Sequence, residues 1–197
     1  MASLRRLVAV DLEKRKVGVA LGVLRPDKTS TLLAAFTVEV PLALPAPPDV
    51  TAKYVRAFVD AAWAALAVPG LTAPKASQDR WVCEWPVLYA NKPKYHEDIK
   101  ALQAVGDAIR PKWARKFPPA KWKGNVPKEA HHARLARFLT QDEVTSILAV
   151  NAEVFGHPPE WFTSDAAHDA RDAMGIWLFD AGRTGRGGTE CKTKSPN

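Results

Sequence analysis

Acidic residues stand at three places where a water-soluble domain has little need of them. Asp11 closes the apolar run Leu7-Val8-Ala9-Val10, and Glu84 sits inside Trp81-Val82-Cys83-Glu84-Trp85. Both runs read as buried strands, where an unpaired carboxylate costs several kcal/mol, roughly, so each acid needs a partner. A buried arginine, a backbone amide or a divalent cation would each serve. The third place holds Asp165, Asp169 and Asp172. At about 100° per residue these fall within about 60° of one another, beside an apolar stripe of Ala166, Ala170, Ala173, Met174 and Trp177. Like charges so spaced on a helix repel by a few tenths of a kcal/mol per pair, roughly, and a bound cation reverses that sign. Asp165 follows Thr163-Ser164 and fits a helix start, where capping and the helix dipole favour a carboxylate. Asp169 and Asp172 lie past the first turn of a helix begun there.

These acids need strands and a helix to position them, and the hydrophobic pattern supplies both. Residues 7–12 and 17–24 read as a hairpin around the turn Glu13-Lys14-Arg15-Lys16, and 31–40 as a third antiparallel strand after Arg25-Pro26-Asp27-Lys28. Pro41, Pro45, Pro47 and Pro48 mark an extended linker. Residues 51–68 carry Tyr54, Phe58, Ala61, Ala62 and Ala65 at helical spacing, with Thr51 starting the helix. A short strand over 80–85 stops at Pro86, a helix follows over 97–109, and 113–117 reads as an edge strand before Pro118-Pro119. Helices are then expected over 127–139, 142–155 and 165–180. Three antiparallel strands, then helix, strand, helix, strand and C-terminal helices, is the element order of the ribonuclease H-like α/β fold, with a mixed five-stranded sheet flanked by helices. One domain over 1–181 is expected. Residues 182–197, with four basic residues and no aromatic, read as a disordered basic tail.

The chain has 197 residues, of which 47% are hydrophobic and 25% charged, enough for one sizeable core. That composition excludes collagen-like, disordered and disulfide-stapled classes. Its two cysteines lack metal-binding spacing, which points to a reducing, intracellular setting. No run approaches the roughly 18 apolar residues of a membrane span, so no membrane partner is expected. The formal charge of +7 is unevenly placed. Residues 92–137 hold twelve basic residues against four acidic ones, and the remainder of the chain is slightly acidic. One basic region on an otherwise near-neutral chain is the footprint expected of a surface that binds a phosphate backbone.

The motifs Leu7-Val8-Ala9-Val10-Asp11 with Val17-Gly18-Val19-Ala20, Val82-Cys83-Glu84-Trp85-Pro86 and His168-Asp169-Ala170-Arg171-Asp172-Ala173 together resemble the RuvC-like Holliday junction resolvases. The resemblance runs from about residue 7 to 179. Glu84-Trp85-Pro86, His96-Glu97-Asp98-Ile99 and Trp122-Lys123-Gly124-Asn125-Val126-Pro127-Lys128 are similar to the phage-encoded members. The resemblance implies a homodimeric, cytoplasmic nuclease, acting in a host cell if phage-encoded, that cuts branched DNA with two Mg²⁺ (or Mn²⁺) ions per active site. It puts the metal ligands at Asp11, Glu84, Asp169 and Asp172, and a lysine beside the metals at Lys128. Carboxylates suit that work because hard cations take oxygen donors, and two ions about 4 Å apart can serve the attacking and leaving oxygens of an in-line displacement.

In the basic region, Lys92, Lys94, Lys121, Lys123 and Lys128 are expected to contact phosphates. Tyr89 and Trp122 are the rings for stacking on bases exposed at a branch point. Trp85 reads equally well as a wedge at the junction or as core packing. His131-His132 receive no ligand role, since adjacent helical residues do not face one site. Two other functions fit the same residues: an RNA-processing nuclease of the same superfamily, and a non-catalytic DNA-binding protein that kept the fold.

Overall fold

The computed structural model describes residues 4–13, 16–40, 47–68, 79–88, 91–110, 112–124 and 126–184. Five strands form one sheet in the order β3-β2-β1-β4-β5. They are β1 (Arg5–Leu12), β2 (Lys16–Leu24), β3 (Ser30–Glu39), β4 (Arg80–Glu84) and β5 (Arg115–Phe117). β1, β2 and β3 pair antiparallel, and β4 and β5 join them in parallel. This is the mixed sheet of the ribonuclease H-like fold. The helices are α1 (Pro48–Leu66), α2 (His96–Ile109), α3 (Pro119–Trp122), α4 (Lys128–Leu135), α5 (Gln141–Phe155) and α6 (His168–Asp180).

Strand parity divides the core in two. Val8, Val10 and Leu12 of β1 join Val17, Val19 and Leu21 of β2 on the face covered by α1, with Ile109 of α2. Leu7 and Ala9 face the other way, onto Ala170, Ala173 and Trp177 of α6. Asp11 and, in β4, Glu84 share the parity of that second face. The β2–β3 register slips between Leu21 and Gly22, pairing Leu21 with Ala34 but Gly22 with Leu32. The extra residue, Leu33, is the β-bulge that lets Leu32 and Ala35 both join the α6 side. Its carbonyl accepts from Ser146 Oγ at 2.8 Å. At the sheet's far end, Arg6 pairs with Asp79 and Arg80 with Asp180, in each case through two short hydrogen bonds.

Several boundaries move relative to the sequence expectation. The first helix starts at Pro48 rather than Thr51, because proline's fixed φ suits the first helical position. β5 is shorter than 113–117, and Trp113 instead packs edge-on against Trp81. The 127–139 helix changes to a 3₁₀ turn at Ala136–Phe138. The last helix begins at His168, after two 3₁₀ turns over Pro159–Thr163 and Asp165–Ala167. α5 begins with a capping box between Thr140 and Glu143. Glu143 is buried, accepts from Leu32 N, and receives both terminal nitrogens of Arg183. Arg183 is thereby tied to the N-terminus of α5. The remainder of the expected tail, 185–197, lies outside the described residues.

Candidate metal centre

β1 and β4 leave the sheet side by side. Val10 is level with Cys83 in their parallel register, so Asp11 and Glu84 follow at the same height and on the same face. Asp11 is 5% exposed. The N-terminus of α6 lies across this end of the sheet, and Gly18 of β2 allows its close approach. A β-carbon at Gly18 would sit 2.0 Å from the Asp169 carbonyl oxygen. Asp169 and Asp172 are consequently buried against the strand ends, at 5% and 3% exposed.

Asp11, Glu13 and Asp169 each bring an oxygen within 4.8 Å of the others. The expected ligand set did not contain Glu13. It lies two residues beyond Asp11, and strand parity carried one step past β1 puts it on the same face, a signal the sequence contains. Glu84 and Asp172 flank this triad closely enough that each raises the Asp11 pKa.

Asp165 stays apart. Its carboxylate is fully exposed and pairs with His168 Nε2 at 3.1 Å. Because α6 starts at His168, Asp169 lies in the first turn of that helix, where the dipole favours it, and not past the first turn as the sequence suggested.

The electrostatics show how strongly the cluster lacks positive charge. Burial pushes the Asp11 carboxyl well above the usual range, and the neighbouring Glu84, Asp172 and Glu13 raise it further. Burial also raises Glu84, Glu13 and Asp169. Glu13 and Asp169 lie within hydrogen-bond reach of each other, and their mutual repulsion adds to the rise in Glu13. Asp172 differs. Burial alone would raise it, but the His132 hydrogen bond, with Lys123 and Lys128 nearby, brings it below the ordinary carboxylate value.

Two elements hold these acids in place. Trp122, at the end of α3, donates its indole N–H to Glu84 Oε2 at 2.8 Å, and Lys123 Nζ lies 3.5 Å from the same oxygen. From α4, His132 Nε2 lies 2.7 Å from Asp172 Oδ1, and Lys128 Nζ is 3.3 Å from Asp172 Oδ2. Gly175 makes room for this packing, because a β-carbon there would come within 2.4 Å of the Trp122 ring. His131 is buried against Trp122, and burial lowers its pKa to about 4, so it is neutral.

Trp122 is therefore a correction to the expectation of a base-stacking ring. It is 7% exposed and packed against Gly175 and His131, so it offers no free face to a base. His132 has a role that the sequence does not show. The helical argument that His131 and His132 cannot share one site holds, but His132 alone reaches Asp172. Lys123 and Lys128 point at carboxylates, whereas Lys92, Lys94 and Lys121 are exposed. Tyr89 lies outside the described residues. Trp85 packs against Leu12 and Gly106, with Lys116 Nζ 3.2 Å above its ring, which favours its reading as core packing.

The donor set fits hard divalent cations. It consists of oxygen donors on neighbouring elements, most of them buried, and at all but Asp172 the pKa is raised, first by burial and then by mutual repulsion that a cation would relieve. Buried Arg6 and half-buried Arg80 are engaged with Asp79 and Asp180. No helix among the described residues is long and apolar enough to cross a membrane.

No family model and no curated protein sequence matches the chain. Among solved structures it is similar to Thermus thermophilus RuvC in complex with a Holliday junction substrate, at 13% identity and a TM-score of 0.41, over 90% of this chain and 94% of that one. It is similar to the T. thermophilus RuvC structure at 14% identity, with the same TM-score and coverage.

Proposed function

We propose that the chain is a divalent-metal-dependent endonuclease selective for branched DNA, resolving Holliday junctions and related structures by phosphodiester hydrolysis. The observation that carries this reading is the convergence of Asp11, Glu13, Glu84, Asp169 and Asp172 at one end of the sheet, with Lys123 and Lys128 as the nearby cations. Asp11, Glu84, Asp169 and Asp172, joined by Glu13, would hold two Mg²⁺ or Mn²⁺ ions. Such ions supply Lewis acidity to the oxygens of an in-line displacement.

The protein's own contribution is positional. Trp122 and Lys123 orient Glu84, and His132 keeps Asp172 ionised and aimed by hydrogen-bonding one of its oxygens. Such supporting contacts around metal ligands typically change metal affinity by about 10- to 100-fold. Lys128 places a positive charge at the mouth of the site, where a scissile phosphate would lie. Lys92, Lys94 and Lys121 are exposed and would contact the phosphate backbone. A homodimer would present two such sites to the two strands of a four-way junction. Kinship with phage-encoded resolvases, and action in the cytoplasm, belong to the same reading and rest on the motifs around Glu84 and Trp122. Incubating the pure protein with Mg²⁺ and labelled four-way junction, linear duplex and structured RNA tests the proposal. Preferential nicking of the junction is the expected result, and cleavage of RNA alone, or of nothing, contradicts it.

A further inference from the structure

A cavity of about 370 Å³ opens beside the carboxylate site, between α4 and the 3₁₀ turns that precede α6. His132 forms part of its wall and also hydrogen-bonds Asp172, so one imidazole separates the cavity from the acids. The floor is apolar, made by Met174, Leu139 and Phe162. The rim carries Glu129 and Asp165, both exposed carboxylates, and Asp165 engages His168, also in the wall, through one of its two oxygens. Arg171 also lines the cavity, but its guanidinium donates to the carbonyls of Phe162 and Ser164 and braces the 3₁₀ turns.

These features select among the parts of a nucleic acid. Acids at the rim, with the arginine already committed, disfavour a phosphate. An apolar floor with acceptors at its edge matches a nucleobase, which has apolar faces and N–H groups along its periphery. The volume is near the low end of the roughly 300–1,000 Å³ of small-molecule sites, suiting one base with its sugar rather than two. Open strands at a branch point supply unstacked bases at the least cost.

We propose that this cavity receives one unstacked base from next to the scissile phosphate and reads its N–H edge through Asp165 and Glu129, which makes it a determinant of where a branched substrate is cut. The inference rests on the nuclease reading above. Guanine, with adjacent N1–H and N2–H donors, is the base it fits best.

The test uses the full chain and four-way junctions in which each position flanking the cleaved bond is varied among the four bases and an abasic site. Wild type should cut substrates with guanine at one such position about tenfold or more faster than those with the abasic site. Filling the cavity from its exposed wall, with Ala136→Phe or separately Ala133→Phe, should flatten that preference, as should Asp165→Ala. Melting curves confirm that each variant folds. As a readout independent of cutting, a fluorescent guanine analogue that keeps the N1–H and N2–H donors, placed at the preferred position, should change its emission on binding wild type and not with Ala136→Phe. Equal cutting of all bases by wild type, or the parental preference in both filled variants, overturns the pocket while leaving the nuclease reading intact. Failure to cut any DNA removes both.

Discussion

Replacing Trp122 with Phe separates the two things this side chain does. The indole N–H donates 2.8 Å to Glu84 Oε2, while the ring packs against Gly175 and His131. Phenylalanine keeps part of the packing and none of the donation. A hydrogen bond to a charged group contributes about 1.5–3 kcal/mol, and each pKa unit corresponds to about 1.4 kcal/mol. The Glu84 pKa, already raised by burial, should therefore rise further, with Lys123 as its remaining partner. Two consequences follow for Mg²⁺-dependent cleavage. The acid limb of the rate profile moves to higher pH, because a protonated Glu84 is no ligand, and the Mg²⁺ needed for half-maximal rate rises by about 10- to 100-fold. Rates across pH 5–9 at several Mg²⁺ concentrations, with melting curves alongside, provide the assay. A variant that loses melting temperature but keeps the parental acid limb and Mg²⁺ requirement would show that Trp122 is packing alone.

Three further outcomes are expected. Asp11, Glu13, Glu84 and Asp169 have raised pKa values in the fold, so the native state binds protons more tightly than the unfolded chain. Stability from these groups is present at mildly acidic pH and is lost as pH rises through their folded values. In EDTA the melting temperature should consequently fall between weakly acid and neutral pH, and Mg²⁺ should restore it; a metal-free melting temperature that climbs over that range contradicts the electrostatics. Gly18→Ala forces a β-carbon against the Asp169 carbonyl, so stability should fall by about 1–3 kcal/mol, read as roughly 2–4 °C of melting temperature per kcal/mol, with cleavage lost as Asp169 shifts; unchanged melting and activity would refute the close approach. Replacing Lys92, Lys94 and Lys121 with Ala should reduce the salt slope of log K for duplex binding by about 0.9 for each phosphate no longer neutralised, and a parental slope in anisotropy titrations would show that this face only meets solvent.

Much of the scaffold is legible in the sequence because β1, β2 and β4 are short apolar runs with clear stops, and their parity alone puts Asp11 and Glu84 on one face. What the sequence hides is mostly a matter of boundaries and reach. Glu13 reads as a turn residue because the apolar run ends at Leu12, yet the chain keeps its strand parity for one more residue and brings Glu13 beside Asp11. Thr163-Ser164-Asp165 has the chemistry of a helix cap, but the backbone makes separate 3₁₀ turns first, which turns Asp165 outward and puts Asp169 in the first turn of α6. Trp122 and His132 act on acids 38 and 40 residues away in sequence. No local periodicity encodes such contacts, which arise only when α3 and α4 fold back over the strand ends.

In the proposed nuclease, Asp11 works as a metal ligand and not as a structural acid. Asp11→Asn keeps the shape of the side chain and removes a charge that the fold holds at a pKa well above the usual carboxylate value. Cleavage of a labelled four-way junction in Mg²⁺ by wild type and by this variant, with junction affinity measured in parallel, is the most direct test. The variant is expected to bind the junction with near-parental affinity, to be at least as stable as wild type without metal, and not to cut. Near-normal cleavage by Asp11→Asn would contradict the metal-ligand role.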